Sequence, residues 1–269
     1  MEETNNLLFI HIPKAAGTTF HTVLNRKYAR EKIFDIDGLN VKSSMDEFKS
    51  LPAESRSKIR LVKGHMPFGL HEYLYGPSKY ITFIRDPYKR IISHYNFAKR
   101  TTHHYLHKRA SNMSLDEYIT SGLTHEVNNG QVRLLAGHDD DIPFGCCDES
   151  LLQKACFNVE KYFLFVGLTE FFDNSLLILN NMMDWKVYPY YNKRNTKKIS
   201  STADKLSNSS KNNIEFYNQL DIELYDWIEN RLMRQLFELI PKIHSQYIKF
   251  EVVNSLYQYL SYPYLTLKN

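Results

Sequence analysis

Long hydrophobic runs and a secretory signal are both missing from this chain. No stretch of about 18 apolar residues occurs, and the first residues, Met1 to Asn6, are polar and acidic rather than basic and then apolar. We therefore expect no integral membrane segment, no signal peptide and a cytoplasmic location.

Cysteine is scarce as well. An odd count argues against a closed set of disulfides, and a reducing compartment is the simpler interpretation. The three cysteines, which match no metal-binding spacing, are Cys146, Cys147 and Cys156. The stretch His103 to His107 holds a histidine pair that could bind zinc, but no cysteine or carboxylate completes a site. We expect no metal.

A strong net charge and low-complexity segments are also absent. The formal net charge of +4 is too small for a nucleic-acid partner to be expected. The 43% of hydrophobic residues, with 19 tyrosines and 16 phenylalanines, predicts a compact globule, and 269 residues suit a single domain over 1–269. Basic residues and histidines do cluster between Lys89 and Arg109, which suggests a site for a polyanionic ligand.

The most informative stretch is a strand followed by a loop of small residues. The apolar run Leu7 to Ile12 stops at Pro13 and suits a buried parallel strand. Small residues allow backbone N–H groups to approach an anion, hydroxyls add donors where the next helix begins, and Lys14 supplies a cation. These loop residues are Ala15, Ala16, Gly17, Thr18 and Thr19. The Walker pattern is absent, because the lysine here precedes the glycine.

Further β-turn-α units follow. Lys32 to Ile36, Lys58 to Lys63, Tyr80 to Ile84 and Tyr162 to Gly167 are predicted strands, and from Ser200 to about Leu260 the chain is predicted to be mostly helical. The repetition predicts an α/β fold of three layers with a central parallel sheet flanked by helices.

Helix signals lie between these strands. Asp86 and Pro87 are typical of a helix start, and that helix should leave Lys89, Arg90, Ser93 and Asn96 off its apolar stripe. Capping boxes are predicted at Ser44 and Ser114, and one helix is predicted over Leu123 to Ala136.

The order Pro-Lys-x-x-Gly-Thr-Thr-Phe after a strand resembles the 5′-phosphosulfate loop of sulfotransferases that use 3′-phosphoadenosine 5′-phosphosulfate (PAPS). It is most similar to the carbohydrate branch with the heparan sulfate and uronyl 2-O-sulfotransferases and their bacterial relatives. An ordinary strand-to-helix turn is the alternative. The resemblance implies a P-loop-like fold, PAPS as donor, adenosine 3′,5′-bisphosphate as product and donor binding by Lys14, Ala15, Ala16, Gly17, Thr18 and Thr19.

Two more segments resemble the family in the same order. Arg85 ends a predicted strand and Ser93 follows on the next helix, as in the family's 3′-phosphate site, where arginine can bind phosphate through two hydrogen bonds. Arg194 and Thr196 resemble its late basic loop over the nucleotide. The alternatives are an exposed Arg85–Asp86 pair and a solvated basic loop.

His65 is the candidate general base, since it follows a strand and an imidazole titrates near neutral pH. The 2-O-sulfotransferases have His-Gly-His where this chain has Lys63-Gly64-His65, so only the second histidine is retained, which leaves the base assignment intact and the acceptor's identity open. Lys63 and His65 are predicted to bind the substrate. Arg133, in a segment resembling the bacterial branch, is a candidate for an anionic group of the acceptor, with a solvated helix face as the alternative. A structural role for His65 is the corresponding alternative.

These resemblances imply a sulfotransferase acting on a hydroxyl of a neutral or anionic saccharide or glycan, with His65 as base and Lys14 stabilising the leaving phosphate. Two alternatives stay open. One is a kinase-like phosphoryl transferase, which is disfavoured because this sequence has neither a Walker lysine nor an evident acidic Mg²⁺ ligand. The other is a non-catalytic module that binds nucleotides or anionic glycans.

Overall fold

A computed structural model describes residues 6–138, 141–185, 189–192 and 206–266, with 239–245 and 260–266 described by their backbone only. Its centre is a five-stranded sheet in the order β2-β3-β1-β4-β5, in which every neighbouring pair is parallel. The strands are β1 (Asn6–Ile10), β2 (Ile33–Ile36), β3 (Leu61–Gly64), β4 (Ser78–Ile84) and β5 (Phe163–Leu168). The predicted α/β fold with a central parallel sheet is confirmed.

The central strand β1 is buried along its whole length, as expected for a strand covered on both faces. Leu8 pairs with Val62 of β3 on one side and with Tyr80 of β4 on the other. The chain adds strands to one side of β1 up to β3 and then crosses to the other side with β4. The carboxyl end of β1 therefore lies at the point where the strand order reverses, which is where open parallel sheets bind ligands.

Helices connect and flank the strands. They are α1 (Gly17–Leu24), α2 (Val41–Ser50), α3 (Ala53–Arg56), α4 (Pro87–Arg100), α5 (His107–Ala110), α6 (Leu115–Thr120), α7 (Gly130–Ala136), α8 (Glu149–Tyr162), α9 (Phe172–Met183) and α10 (Asn208–Thr266). The predicted helical C-terminal part corresponds to α10. None of the helices in the described ranges combines the length and the apolar character needed to cross a bilayer.

The helix starts depend on specific caps. Asp86 accepts a hydrogen bond from the Lys89 N–H at 2.8 Å with Pro87 in the first turn, and the capping box at Ser114 is present, so both predictions are confirmed. The capping box at Ser44 is wrong. Helix α2 already begins at Val41, and the Ser44 hydroxyl instead accepts a hydrogen bond from the Asp37 N–H at 3.1 Å.

The helix predicted over Leu123 to Ala136 is divided in two. A 3₁₀ turn spans His125–Val127, and α7 starts only at Gly130 because Asn129 adopts a left-handed conformation with φ of 53°. The side chain of Asn218 holds this break: its oxygen accepts from the Asn129 N–H at 3.1 Å, and its amide donates to the Val127 carbonyl at 3.0 Å. Asn218 is itself the non-helical residue within α10.

A buried ion pair fixes α4 to α10. Arg90 and Asp221 are both 0% exposed, and Arg90 Nη2 lies 3.4 Å from Asp221 Oδ2, while Arg90 Nη1 also contacts Glu126 at 3.0 Å. Asp221 further accepts from the Val132 N–H at 2.8 Å. The expectation that Arg90 and Ser93 lie off the buried side of α4 is therefore wrong. Helix α10 also packs against α4, so the buried surface of α4 extends beyond its apolar stripe.

We predict that Arg90→Met lowers the free energy of unfolding by about 3–5 kcal/mol, because it leaves the Asp221 carboxylate buried without its cation. Urea denaturation measures the change. Adding Asp221→Asn should recover part of the loss, since an amide oxygen can still accept from the Val132 N–H without carrying a charge. A single variant as stable as the wild type would contradict this role for the pair.

Candidate active site

The candidate site lies where β3, β1 and β4 end side by side. Three of the predicted site residues follow these strands: His65 follows β3, Lys14 lies in the loop after β1, and Arg85 follows β4. Parallel strands end at one edge of a sheet, so the topology brings these three separate segments together.

The loop after β1 has a strained backbone and a close packing contact. Lys14 and Ala16 have φ values of 68° and 59°, which place both residues in the left-handed region. Gly17 begins α1, and a Cβ built there would lie 1.8 Å from Cδ2 of His11. Only glycine fits at this position. In the first turn of α1, the Thr19 N–H donates to the Ala16 carbonyl at 3.1 Å, whereas the N–H groups of Gly17 and Thr18 lie at a helix N-terminus, which favours anions.

Lys14 is a cation with an aromatic neighbour. Its ammonium lies 3.8 Å from the centre of the Phe97 ring, and within the described ranges it pairs with no carboxylate. Burial, and then the nearby Arg85 and Arg100, lower the pKa of Lys14 to about 8. An anion bound nearby would stabilise the charged form of Lys14 and raise its pKa again.

Arg85 is fixed through its backbone and connected to the loop through its side chain. Gln131 accepts from the Arg85 N–H and donates to the Arg85 carbonyl, each at 2.9 Å, and Arg85 Nη1 donates to the Lys14 carbonyl at 3.1 Å. Glu170 approaches Arg85 Nε at 3.8 Å and accepts from the Asp86 N–H at 3.3 Å. Burial nevertheless lowers the pKa of Arg85, because the nearby carboxylates of Glu170 and Asp86 compensate it only in part.

His65 adopts one tautomer. Its Nδ1 lies 2.8 Å from the carbonyl oxygen of His11, which can only accept, so Nδ1 carries the proton and Nε2 keeps its lone pair. The ring stacks on His11 with centroids 4.1 Å apart and lies against Gly38, where a Cβ would come within 2.7 Å of it. Burial lowers the pKa of His65 below 6.5, so the ring is neutral at pH 7 and able to accept a proton.

Lys63 does not face the acceptor as the sequence suggested. Its side chain is 3% exposed, pairs with Asp35 and donates to Nδ1 of His21 at 3.0 Å. His21 Nε2 in turn lies 3.1 Å from Nδ1 of His11. We correct the assignment of Lys63 to a buried partner of these side chains.

Arg133 is also corrected. Its guanidinium is fully buried and donates to the carbonyls of Asn128, Ile142 and Pro143 at 2.8, 2.6 and 3.0 Å, so it organises the protein interior instead of meeting an acceptor. Ser93 is 6% exposed on α4, two turns after Arg85. Arg194 and Thr196 lie outside the described residues.

Three contributors escaped the sequence reasoning, namely Gln131, Glu170 and His21. Gln131 lies two residues before Arg133, and Glu170 follows β5, but nothing near either residue in the sequence indicates that it hydrogen-bonds the backbone of Arg85 or Asp86. His21 could have been found by spacing, because it lies one helical turn after Gly17 and hence on the same face of α1.

The arrangement combines an anion-binding loop, two cations and a neutral imidazole with a free lone pair. Such a set can bind a phosphate-like group and remove a proton from an incoming hydroxyl. In the part of the chain that the structure describes, no three His, Cys, Asp or Glu side chains are grouped to hold a metal ion.

The family model described as Galactose-3-O-sulfotransferase matches residues 2–251. No curated protein matches the sequence significantly. A crystal structure of the mouse sulfotransferase SULT7A1 complexed with PAP is similar at 14% identity and a TM-score of 0.37, over 78% of this chain and 67% of that one. The resemblance to the 2-O-sulfotransferase branch is not confirmed.

We predict that the protein loses stability as the pH falls from about 6.5 to about 5. Burial lowers the pKa values of His11, His21 and His65, that of His21 to about 4, whereas in the unfolded chain they return to about 6.5. The unfolded state therefore takes up protons first, and the free energy of unfolding declines with pH in this window. Urea denaturation at several pH values measures it.

His21→Asn is the informative variant for this prediction, because it removes one of the three groups and should reduce the slope of the free energy of unfolding against pH. A wild-type free energy that is flat or rises as the pH falls through this window would contradict neutral, buried imidazoles at the site.

Proposed function

Since the chain belongs to the galactose-3-O-sulfotransferase family, we propose that it transfers a sulfuryl group from PAPS to a hydroxyl of a saccharide, as one domain over residues 1–269. The observation that carries the proposal is the bare Nε2 of His65 beside a cationic loop at the reversal point of the sheet. A base and an anion site at one sheet edge are the two parts that this transfer needs.

The donor fits the loop and the end of β4. The backbone N–H groups of Gly17 and Thr18, with the hydroxyls of Thr18 and Thr19, suit the 5′-phosphosulfate, and Arg85 with Ser93 suits the 3′-phosphate. When bound, the nucleotide supplies the sulfuryl group and keeps the bridging oxygen as the leaving phosphate. Lys14, which has no carboxylate partner in the described chain, stabilises the charge on that oxygen.

His65 acts as the general base. Its Nδ1–H is held by the His11 carbonyl, so the proton from the acceptor hydroxyl goes to Nε2. The resulting imidazolium keeps the Nδ1 hydrogen bond, which is stronger from a charged donor. A pKa below 6.5 ensures that the base is unprotonated at pH 7 before the acceptor arrives.

The acceptor is a saccharide hydroxyl, and the name of the family favours the 3-hydroxyl of galactose. The motif order resembled the 2-O-sulfotransferase branch but left the sugar and the sulfated position open. Lys63, the residue that distinguished this chain from the 2-O-sulfotransferases, is buried against Asp35 and gives no support to a charged sugar. A neutral galactoside is therefore the first acceptor to test.

The expected result is transfer of radioactive sulfate from labelled PAPS to terminal β-galactosides in preference to uronic-acid polymers. Thermal denaturation should show that adenosine 3′,5′-bisphosphate stabilises the chain more than AMP does, because AMP lacks the 3′-phosphate. A chain stabilised equally by both nucleotides would refute the donor, and stabilisation without transfer to any glycan would favour a binding module.

We predict that His65→Ala reduces the rate of transfer by about 10²–10⁴-fold and leaves the affinity for adenosine 3′,5′-bisphosphate nearly unchanged, because a general base acts on the acceptor. Transfer assays and calorimetry measure the two quantities. His71→Ala is the matched control, since His71 pairs with Tyr80 away from the loop. Transfer by His65→Ala at the wild-type rate would refute the base.

A further inference from the structure

Four polar side chains form a continuous hydrogen-bonded chain beneath the loop. Asp35 on β2 accepts from Lys63 on β3, Lys63 Nζ lies 3.0 Å from His21 Nδ1, and His21 Nε2 lies 3.1 Å from His11 Nδ1. Asp35 also pairs with Arg30 near the surface. The chain of contacts thus runs from the edge of the sheet to the end of its central strand.

The direction of every hydrogen bond in this chain follows from Lys63. An ammonium only donates, so His21 Nδ1 must accept and the neutral His21 ring carries its proton on Nε2. His21 Nε2–H then donates to His11 Nδ1, which leaves the proton of His11 on Nε2. Burial, Lys63 and other nearby groups hold the pKa of His21 at about 4, in accord with a neutral ring.

This polarity gives His11 the opposite tautomer from His65. His65 presents a lone pair at Nε2, whereas His11 presents an N–H at Nε2. His11 Nε2 lies next to Gly17, since a Cβ built at Gly17 would lie 2.0 Å from it. The donor therefore borders the first turn of α1, and within the described chain its Nε2–H has no acceptor.

We propose that His11 Nε2–H is an additional hydrogen-bond donor to the 5′-phosphosulfate group, and that Asp35, Lys63 and His21 are positioning residues that hold His11 in the required tautomer. This inference rests on PAPS as the proposed donor. A buried lysine is costly unless its charge is compensated, and Asp35 compensates that of Lys63. Here its effect is to orient two imidazoles.

The first test compares His11→Gln with His11→Asn. The glutamine amide can reach the position of Nε2, whereas the asparagine amide reaches only that of Nδ1. By calorimetry, His11→Asn should bind adenosine 3′,5′-bisphosphate about tenfold more weakly than the wild type, and His11→Gln should stay within about threefold. Adenosine 3′-monophosphate, which lacks the 5′-phosphate, should bind all three proteins equally.

Each outcome separates the inference from the proposed function. If the wild type binds neither nucleotide, the donor is refuted and the inference falls with it. If the wild type and His11→Asn bind the bisphosphate equally, the inference alone is refuted, and the same holds if the monophosphate loses as much affinity as the bisphosphate.

The second test does not depend on a variant at His11. In the wild-type protein labelled with ¹⁵N-histidine, the ring signals should show protons on Nε2 of His11 and His21 but on Nδ1 of His65. Lys63→Met removes the donor to His21 and should mix the tautomers of His21 and His11, with weaker binding of the bisphosphate by about the same tenfold factor. A proton on Nδ1 of His11 in the wild type would overturn the inference.

Discussion

The catalytic edge depends on the contact between the His11 ring and the backbone of Gly17. With a Cβ at position 17 the two would overlap, so α1 can begin at this distance from β1 only with glycine. His11 also accepts the Nδ1–H of His65 through its carbonyl oxygen. One residue at the end of the central strand thus fixes both the loop that follows β1 and the imidazole that follows β3, and an error of about 1 Å there would disturb both.

Two buried cations are compensated in different ways. Arg90 meets Asp221 and Glu126 in the layer between α4 and α10, where the pairing connects helices. Lys63 meets one carboxylate, that of Asp35, and directs its remaining donor to an imidazole. Burial lowers the pKa of His11, and the neighbouring His65 and His21, followed by Lys14 and Lys63, lower it further, so this ring stays neutral in a site that favours anions.

The sequence was sufficient for the strands, the caps of α4 and α6 and the position of His65 after a strand, because these follow from local patterns of about ten residues. It was insufficient for Lys63, Arg90 and Arg133, which were interpreted as solvent-facing or substrate-facing. A charged residue is predicted to be exposed when no partner of opposite charge is near it in the sequence. Asp221, the buried partner of Arg90, lies 131 positions away. Only the packing of α4 against α10 brings Arg90 and Asp221 together. The sequence did not predict the proposed role of His11 either, since the tautomer of His11 depends on three side chains from different elements.

The amide of Gln131 bonds both the N–H and the carbonyl of Arg85 and makes no demand on the side chain at that position. The path of the backbone from β4 into α4 is thereby secured independently of which residue stands at position 85. The side chain at position 85 is therefore exchangeable without rebuilding the junction. The fold separates the placement of this residue from its identity.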